Sequence, residues 1–300
     1  MPTCSSILEW NTELDMKLPK IVTQARNSIS LVWRSTPGKI GILITLAILV
    51  IAIFAPVIAP YPPNKPNVGP HYGGISSAHL LGTDDIGEDI FSQLLWASRG
   101  SVLVGFFAGG ISIALGIVVG LFSGYFGGRT DEVLMRSTDV VLVLPLLPLL
   151  IVIASLFPSS VFLVILVIGL LSWPVTARIV RSQTLTLKSR PFVDALRLSG
   201  MNELEIMFKV LLPNQLPLIL SYGVFSAVTA VVIESGLDFI GLGSITNLSW
   251  GIMLYFALSR DALLRGMWWW FLPPGLMIAI FGSGLILLGY GAERAGRISR

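Results

Sequence analysis

The sequence predicts an all-α, polytopic membrane protein with six transmembrane helices. Of its 300 residues, 54% are hydrophobic and only 12% are charged, whereas about 25% of the residues of a soluble domain are charged. Long stretches contain no Asp, Glu, Lys or Arg, and the Lys and Arg residues are unevenly distributed among the segments between them. The composition therefore places the chain in the membrane class. The net charge of +3 is too small to suggest binding to nucleic acid.

Uncharged stretches mark the predicted helices, because a span needs about 20 mostly apolar residues and a charge at its centre is costly. The stretch of 38 residues between Asp139 and Arg178 is too long for one helix. The sequence Phe157-Pro158-Ser159-Ser160 lies near its middle, and Pro and Ser favour a turn there, so we expect two helices. The other four uncharged stretches each predict one span, so six spans are expected in all. The five stretches are 40–64, 100–128, 140–177, 210–233 and 266–292.

The distribution of positive charge predicts the orientation of these spans. In a six-span topology, 16 of the 20 Lys and Arg residues lie on one side, and the positive-inside rule assigns that side to the cytoplasm. We therefore expect both termini in the cytoplasm. The predicted segments are a cytoplasmic N-terminal tail (1–39), a first transmembrane helix (40–60), an external loop (61–98), a transmembrane core (99–292) that includes a cytoplasmic loop (180–212), and a cytoplasmic C-terminal tail (293–300).

One more uncharged stretch, Phe239–Ser259, is a poor candidate for a lipid-facing helix. It is rich in Gly, Ser and Asn, and irregular backbone is not tolerated against hydrocarbon. A seventh span would also place the Arg-rich C-terminus outside, against the positive-inside rule. We expect a re-entrant or an external segment, and the sequence leaves both open.

The predicted cytoplasmic loop is expected to form a helix, a turn and a second helix. Pro191 suits the first turn of a helix, and Gly200 suits a helix end because Gly takes positive φ at little cost. Asn202 then resembles an N-cap, with Glu205 three residues later, at the start of a second helix. This pattern alone fits a loop that merely connects two spans as well as it fits a functional element.

The same loop resembles the coupling motif of the permeases of ATP-binding-cassette (ABC) importers. That motif reads Glu-Ala-Ala, three residues, Gly, nine residues, Ile, one residue and Leu-Pro. The chain keeps this spacing, with Asp, Leu and Val in place of Glu, the second Ala and Ile. The resemblance implies that the segment 191–213 docks on a separate ATPase subunit. The residues expected to couple the chain to that ATPase are Asp194, Ala195, Arg197, Gly200, Leu212 and Pro213.

Three further segments, Ile53–Tyr61, Leu81–Leu95 and Ser123–Gly128, resemble the C-type permease of the dipeptide, oligopeptide and nickel importers. The resemblance implies the type I permease fold of ABC importers, with a coupling helix between the fourth and fifth spans, in a prokaryotic cytoplasmic membrane. The external motif usually carries Arg at the positions of Glu88 and Gln93, and the change to Glu88 reverses the charge on which a pairing of that Arg depends. The implied partners are a related permease in a heterodimer, two ATPase subunits, an extracytoplasmic solute-binding protein and membrane lipid.

The function implied by the resemblance is that of a permease subunit that forms a solute pathway with its partner and imports di- or oligopeptides. Import of oligosaccharides or nickel by the same mechanism, and an ion-coupled secondary transporter, are the alternatives. The chain has no Gly-x-x-x-x-Gly-Lys-Ser/Thr sequence. We therefore expect no ATPase site and no cofactor in this chain, with ATP and Mg²⁺ bound by the partner subunits. A metal site is not expected from one cysteine, Cys4, and two histidines, His71 and His79.

Four acidic residues are candidates for the solute pathway or an external gate. Glu234 and Asp238 lie near the outer end of the fifth span, four residues apart and so on one helix face. Acids within a membrane are functional candidates. Asp84 and Asp89 belong to an acidic run in the predicted external loop. Polar packing, and charge–dipole attraction at a helix N-terminus, are the alternative explanations for these acids.

Overall fold

The computed structural model describes residues 35–157, 160–244 and 247–298. Within these ranges the chain is helical, with one isolated β-bridge between Thr83 and Asp89. The helices described there are α1 (Thr36–Ile58), α2 (Ile90–Phe126), α3 (Gly128–Val143), α4 (Leu146–Leu156), α5 (Val161–Lys188), α6 (Pro191–Leu198), α7 (Glu203–Phe239), α8 (Trp250–Ser259) and α9 (Trp268–Ile298).

Five of these helices, α1, α2, α5, α7 and α9, are each long and apolar enough to cross a membrane. The pair α3 and α4 passes the same test together, although the two helices meet at 78°. Counting this pair as one broken span gives the six spans that the sequence predicts. The predicted fold class, an all-α polytopic membrane protein, is therefore confirmed.

The third span is broken, which the sequence analysis did not predict. We expected it to start after Asp139, whereas α3 begins at Gly128 and the helix stops at Leu144, before Pro145. Leu144 is extended, with ψ at 126°, because a residue that precedes proline is pushed out of the α-helical region. The turn predicted at 157–160 separates α4 from α5 as expected, with Pro158 and Ser159 outside the described residues.

Two predicted boundaries differ from the ends of the helices. α1 begins at Thr36 rather than at residue 40, because the hydroxyl of Ser35 caps it by accepting a hydrogen bond from the amide of Gly38 at 3.2 Å. α9 continues to Ile298, past the predicted start of the C-terminal tail at 293. Charged residues limit the part of a helix that lies in hydrocarbon, but they do not end the helix itself. Residues 1–34 of the predicted N-terminal tail lie outside the described residues.

α2 lies at the centre of the helix bundle and packs against α1, α5 and α7. Glycines allow this close approach. A Cβ atom on Gly116 would lie 2.5 Å from Cβ of Thr176 on α5, and one on Gly109 would lie 2.9 Å from Cα of Ala227 on α7. The small-residue pattern of α2 therefore serves packing within this chain.

The stretch Phe239–Ser259 forms the end of α7, a connecting segment and the short helix α8. The side chains of Trp250, Met253 and Ala257 on α8 are buried in a cluster that also contains residues of α1, α2 and α9. A Cβ atom on Gly251 would lie 2.7 Å from Cα of Ser235 on α7. The Gly and Ser content thus permits tight packing inside the protein.

Candidate functional site

Two groups of predicted site residues lie at opposite ends of the bundle. The first is the elbow, which we define as residues 191–211: helix α6, the turn after it and the start of α7. The turn depends on Gly200, whose φ of +81° lies in the left-handed region, and its amide donates to the carbonyl of Arg197 at 3.0 Å. The side chain of Asn202 then caps α7 by accepting a hydrogen bond from the amide of Leu204 at 3.2 Å. The predicted helix, turn and helix are present.

The start of α7 contains a π-helical turn, Ile206–Leu211, that the sequence analysis did not predict. Pro213 follows it and has no backbone N–H, so the carbonyl of Lys209 lacks the usual donor four residues later. A wider turn is one way for a helix to accommodate this missing donor. Turns of this kind occur frequently at functional sites.

The elbow has a buried root and an exposed apolar surface. We define the root of the elbow as the four side chains that are fully buried against α2 and α5: Val193, Ile206, Met207 and Leu211. Four other large apolar side chains of the elbow are exposed, and they are Phe192, Leu198, Leu204 and Phe208. Leu198 is 90% exposed. Leu198 and Phe192 lie before α7, whereas Leu204 and Phe208 lie in its first two turns.

A polar network joins the elbow to α2 through Tyr125, a residue that the sequence analysis did not select. The Tyr125 hydroxyl donates a hydrogen bond to the carboxylate of Glu203 and lies 3.4 Å from Nη2 of Arg197. The Arg197 guanidinium lies 5.6 Å from the centre of the Tyr125 ring and forms ion pairs with Asp194 at 3.1 Å and Glu203 at 3.6 Å. The ammonium of Lys188, at the end of α5, donates to the backbone carbonyl of Tyr125.

The six residues predicted to couple the chain to an ATPase lie in two places, around the turn of the elbow and just after the elbow. Asp194, Ala195 and Gly200 are exposed and Arg197 is partly exposed, all around the turn. Leu212 is half-buried and Pro213 is buried at the root, where α7 enters the bundle. The first four residues therefore suit contact with a partner, whereas the last two suit transmission of movement into α7.

The second group, at the opposite end of the bundle, begins with the loop acids Asp84 and Glu88. Oδ1 of Asp84 accepts hydrogen bonds from the amides of Ile86 at 3.0 Å and Glu88 at 2.8 Å. The side-chain amide of Gln93 donates to Asp84 at 3.1 Å and to Glu88 at 2.7 Å. Burial raises the pKa of Asp84, and burial together with the neighbouring charge of Asp84 raises the pKa of Glu88. Gln93 thus joins two carboxylates at a position where the related motif carries Arg.

Asp89 is an N-cap and fixes the loop to the start of α2. Its carboxylate accepts from the amide of Ser92 at 2.8 Å and lies 2.8 Å from Nδ1 of His79. The second histidine, His71, contacts the carbonyl of Asp85 at 2.7 Å and the side chain of Asn67. Asp89 therefore has the N-terminal role that the sequence analysis gave as its alternative. Nowhere in the described ranges do three or more His, Cys, Asp or Glu side chains come together as metal ligands.

Glu234 and Asp238, at the end of α7, line one small cavity and are only 3% and 4% exposed. Oε1 of Glu234 accepts from the hydroxyl of Ser101 at 3.5 Å, and Asp238 accepts from the hydroxyl of Ser249. Ser249 caps α8 by accepting from the amide of Ile252 at 3.0 Å. The two carboxylates therefore connect α7 to α2 and α8.

The structure brings Glu234 and Asp238 together, but it separates them from the acids of the loop. Asp89 caps α2, whereas Ser101, the α2 partner of Glu234, lies twelve residues further along the helix. At about 1.5 Å per residue this is a separation of about 18 Å. The four acids predicted for a pathway or gate thus form two distinct groups.

Comparison with known protein families finds two matches along the chain. Residues 116–295 match the model of the binding-protein-dependent transport system inner membrane component. Residues 33–72 match the model of the N-terminal TM domain of oligopeptide transport permease C. The first match contains the elbow and the Glu234–Asp238 pair, and the second contains α1.

Several curated proteins are similar over most of their length. The oligopeptide transport system permease protein OppC of Bacillus subtilis is 34% identical over 251 residues, which cover 83% of this chain and 82% of that protein. The dipeptide transport system permease protein DppC of Haemophilus influenzae is 34% identical over 263 residues, covering 85% and 88%. A putative peptide permease protein of Brucella suis biovar 1 is 34% identical over 248 residues, covering 82% of both.

Proposed function

The chain belongs to the family of binding-protein-dependent transport system inner membrane components, and from this premise we propose that it imports di- and oligopeptides as one permease of an ABC importer. Its fold supports this function, since six apolar spans can form half of a solute pathway. Its partners are a related permease, two ATPase subunits and an extracytoplasmic solute-binding protein. ATP and Mg²⁺ bind to the ATPase subunits, and this chain has no catalytic activity of its own.

The elbow is the observation that carries the proposal. Its root, which is Val193, Ile206, Met207 and Leu211, is anchored against α2 and α5, while Leu198 and the other exposed apolar side chains are available to a partner. An ATPase subunit that binds these exposed side chains moves the elbow as a rigid piece. Because α7 begins within the elbow, the movement reaches the fifth span directly.

The mechanism that follows is alternating access. Both termini and the elbow face the cytoplasm of a prokaryotic cell. ATP binding draws the two ATPase subunits together, and each moves the elbow of its permease. The pathway between the two permeases then opens to the outside, where the loaded binding protein delivers its solute. Hydrolysis resets the pathway inward. The binding protein must prefer the outward-open state, because a ligand shifts an equilibrium only through differential affinity.

Peptides are the substrate class that similarity supports. The relatives quoted above carry names that refer to oligopeptide, dipeptide or peptide transport. The match of α1 to oligopeptide transport permease C supports the same class. Oligosaccharides and nickel are the competing substrates to include in any assay.

The substrate test is uptake into proteoliposomes that contain the co-expressed transporter and its binding protein. Labelled peptides of two to five residues, a sugar oligomer and Ni²⁺ are offered separately, with ATP or with a non-hydrolysable analogue inside. We expect ATP-dependent accumulation of peptides alone. Accumulation of the sugar or of Ni²⁺ instead would overturn the substrate, and uptake driven by an ion gradient without ATP would overturn the importer.

The docking test replaces Leu198 with Glu. A charge at this exposed position should weaken binding of the ATPase subunits at least tenfold, measured by their co-purification with the permeases. The matched control is Leu80→Glu, the same change at a Leu that is 55% exposed in the loop at the other end of the bundle. Equal ATPase binding in wild type and Leu198→Glu would refute the elbow as the docking element.

A further inference from the structure

The cavity beside Glu234 and Asp238 has a composition that transport alone does not require. Its volume of about 10 Å³ is at the lower limit for holding one water molecule or one ion of similar size. The polar residues that line it are Glu234, Asp238, Ser244, Asn247 and Ser249. Among the described lining residues there is no Lys, Arg or His. The cavity is therefore a small oxygen-lined space next to two acids.

The second observation is an unsatisfied carboxylate oxygen. Oε2 of Glu234 is buried and has no hydrogen-bond partner among the described residues, while Oε1 has only a long contact of 3.5 Å to Ser101. Asp238 receives one hydroxyl, from Ser249. Within the described ranges, the hydroxyls of Ser101 and Ser249 donate to these two buried carboxylates. A pair of acids buried in this way is neutralised either by a bound cation or by a proton.

The surroundings of Asp238 are shaped to hold its carboxylate at the cavity. A Cβ atom on Gly243 would lie 2.5 Å from Cγ of Asp238, and one on Gly251 would lie 2.7 Å from its Cβ. A larger residue at either position would displace the carboxylate. The two glycines therefore leave room for an acid that a core of ordinary side chains would exclude.

We propose that Glu234 and Asp238 bind one largely dehydrated hard cation, Ca²⁺ or Na⁺, at this cavity. Hard cations take carboxylate, amide and hydroxyl oxygens as ligands, and Mg²⁺ does not fit because it retains several waters. Ca²⁺ cancels both carboxylate charges, whereas Na⁺ cancels one. Nickel and zinc are disfavoured because no third acid, His or Cys joins the pair in the described part of the chain.

The bound cation joins three helices at the end of the bundle opposite the elbow. Glu234 and Asp238 lie on α7, Ser101 on α2, and Ser249 at the start of α8. The ion stabilises this junction independently of nucleotide and of peptide. The proposal goes beyond the import function, so its test requires neither ATP nor substrate.

The test uses the purified transporter complex in nanodiscs, without nucleotide and after chelator treatment. CaCl₂ or NaCl is titrated at fixed pH, with choline chloride holding the ionic strength constant. We expect one of the two salts to raise the unfolding temperature saturably, and equilibrium dialysis with ⁴⁵Ca²⁺ or ²²Na⁺ to count the bound ion. Glu234→Gln keeps the size of the side chain and removes one carboxylate. In dialysis this variant should bind one ion fewer per complex. In the thermal titration, any remaining rise in unfolding temperature should require at least a tenfold higher salt concentration.

The matched control is Glu132→Gln, because the side chain of Glu132 on α3 is 67% exposed and should leave binding unchanged. A difference between Ca²⁺ and Na⁺ identifies the ion. The proposal is overturned if neither ion binds to wild type, or if Glu234→Gln binds as many ions as wild type. Loss of salt dependence together with a strong dependence on pH would show that a shared proton neutralises the pair instead.

Discussion

The hydroxyl of Tyr125, near the end of α2, donates a hydrogen bond to the carboxylate of Glu203, which lies 78 residues later at the start of α7. Tyr125 is 2% exposed, and its ring and hydroxyl also contact Arg197. One side chain thus connects the second span to both helices of the elbow. Movement of the elbow cannot proceed without moving α2 or breaking this contact.

We therefore expect Tyr125→Phe to uncouple the transporter. The ring stays and the buried packing is kept, but Glu203 and Arg197 lose their partner on α2. A hydrogen bond to a charged group contributes about 1.5 to 3 kcal/mol, and the lower end applies because the side chain of Glu203 is 50% exposed. Such a loss corresponds to about a tenfold change in an equilibrium. The number of peptides transported per ATP hydrolysed should fall several-fold, while the complex still assembles.

The control for this substitution is Tyr222→Phe, the same change at a partly buried Tyr on α7. It should leave the ratio of peptide uptake to ATP hydrolysis unchanged. An unchanged ratio in Tyr125→Phe as well would show that the network only stabilises the fold.

The sequence was sufficient for the number of spans and for the helix, turn and helix of the elbow, because these depend on local composition. The helix α1 follows from an uncharged stretch, and the turn at Gly200 follows from the need for positive φ. The contact between Tyr125 and Glu203 could not be predicted in this way, because it depends on how α2 packs against α7. The break at Pro145 had a local signal, since proline disrupts helices, but the search for uncharged residues ignored it.

In the candidate site, too, local features could be predicted from the sequence and tertiary contacts could not. Asp194 was found from motif spacing and Arg197 from its place near it, and the structure pairs them at 3.1 Å. Glu234 and Asp238 were found from their spacing on one helix face. The partners Ser101 and Ser249 come from distant helices, and no pattern in the sequence links them to these acids. Pairing between distant elements is set by tertiary packing.

Gly200 should tolerate Asn but not Val. Its φ of +81° is strained for most residues, although no atom lies within 4 Å of a Cβ placed there. A side chain introduced at this position therefore destabilises the turn through backbone strain and not through a steric clash. Asn takes left-handed conformations readily, whereas a β-branched residue loses about 1 to 2 kcal/mol or more. We expect Gly200→Val to weaken ATPase binding in co-purification and Gly200→Asn to bind like wild type. Equal losses in the two variants would instead indicate direct contact with the ATPase.

Gly116 should be intolerant of Ala for the opposite reason. It lies in the middle of α2, and the new methyl group would lie 2.5 Å from Cβ of Thr176 on α5. Overpacking of this kind costs about 1 to 3 kcal/mol. We expect Gly116→Ala to lower the unfolding temperature of the purified complex by several degrees. Gly110→Ala, also on α2 but with no atom within 4 Å, should be neutral or slightly stabilising. A drop of equal size in both variants would contradict the close contact with Thr176 as the cause.

The pair Asp84 and Glu88 should make the complex less stable as pH rises. Both carboxyls have a raised pKa in the folded protein, caused mainly by burial. The folded state therefore binds their protons more tightly than the unfolded chain, in which the pKa is about 4. Stability is lost as pH rises from about 4 through the raised values. Glu88→Gln removes one of the two charges and leaves Gln93 to donate to Asp84. We expect this variant to raise the unfolding temperature at pH 8 and to change it little at pH 4.

The control for this prediction is Asp85→Asn in the same loop. Asp85 forms an ion pair with Arg260, so loss of its charge should lower the unfolding temperature at pH 8. The two variants should change the unfolding temperature at pH 8 in opposite directions. This difference distinguishes repulsion between Asp84 and Glu88 from a general effect of removing an acid. If Glu88→Gln lowered stability at pH 8, its carboxylate would be a favourable acceptor for Gln93, and the contact of 2.7 Å between them would outweigh the repulsion by Asp84.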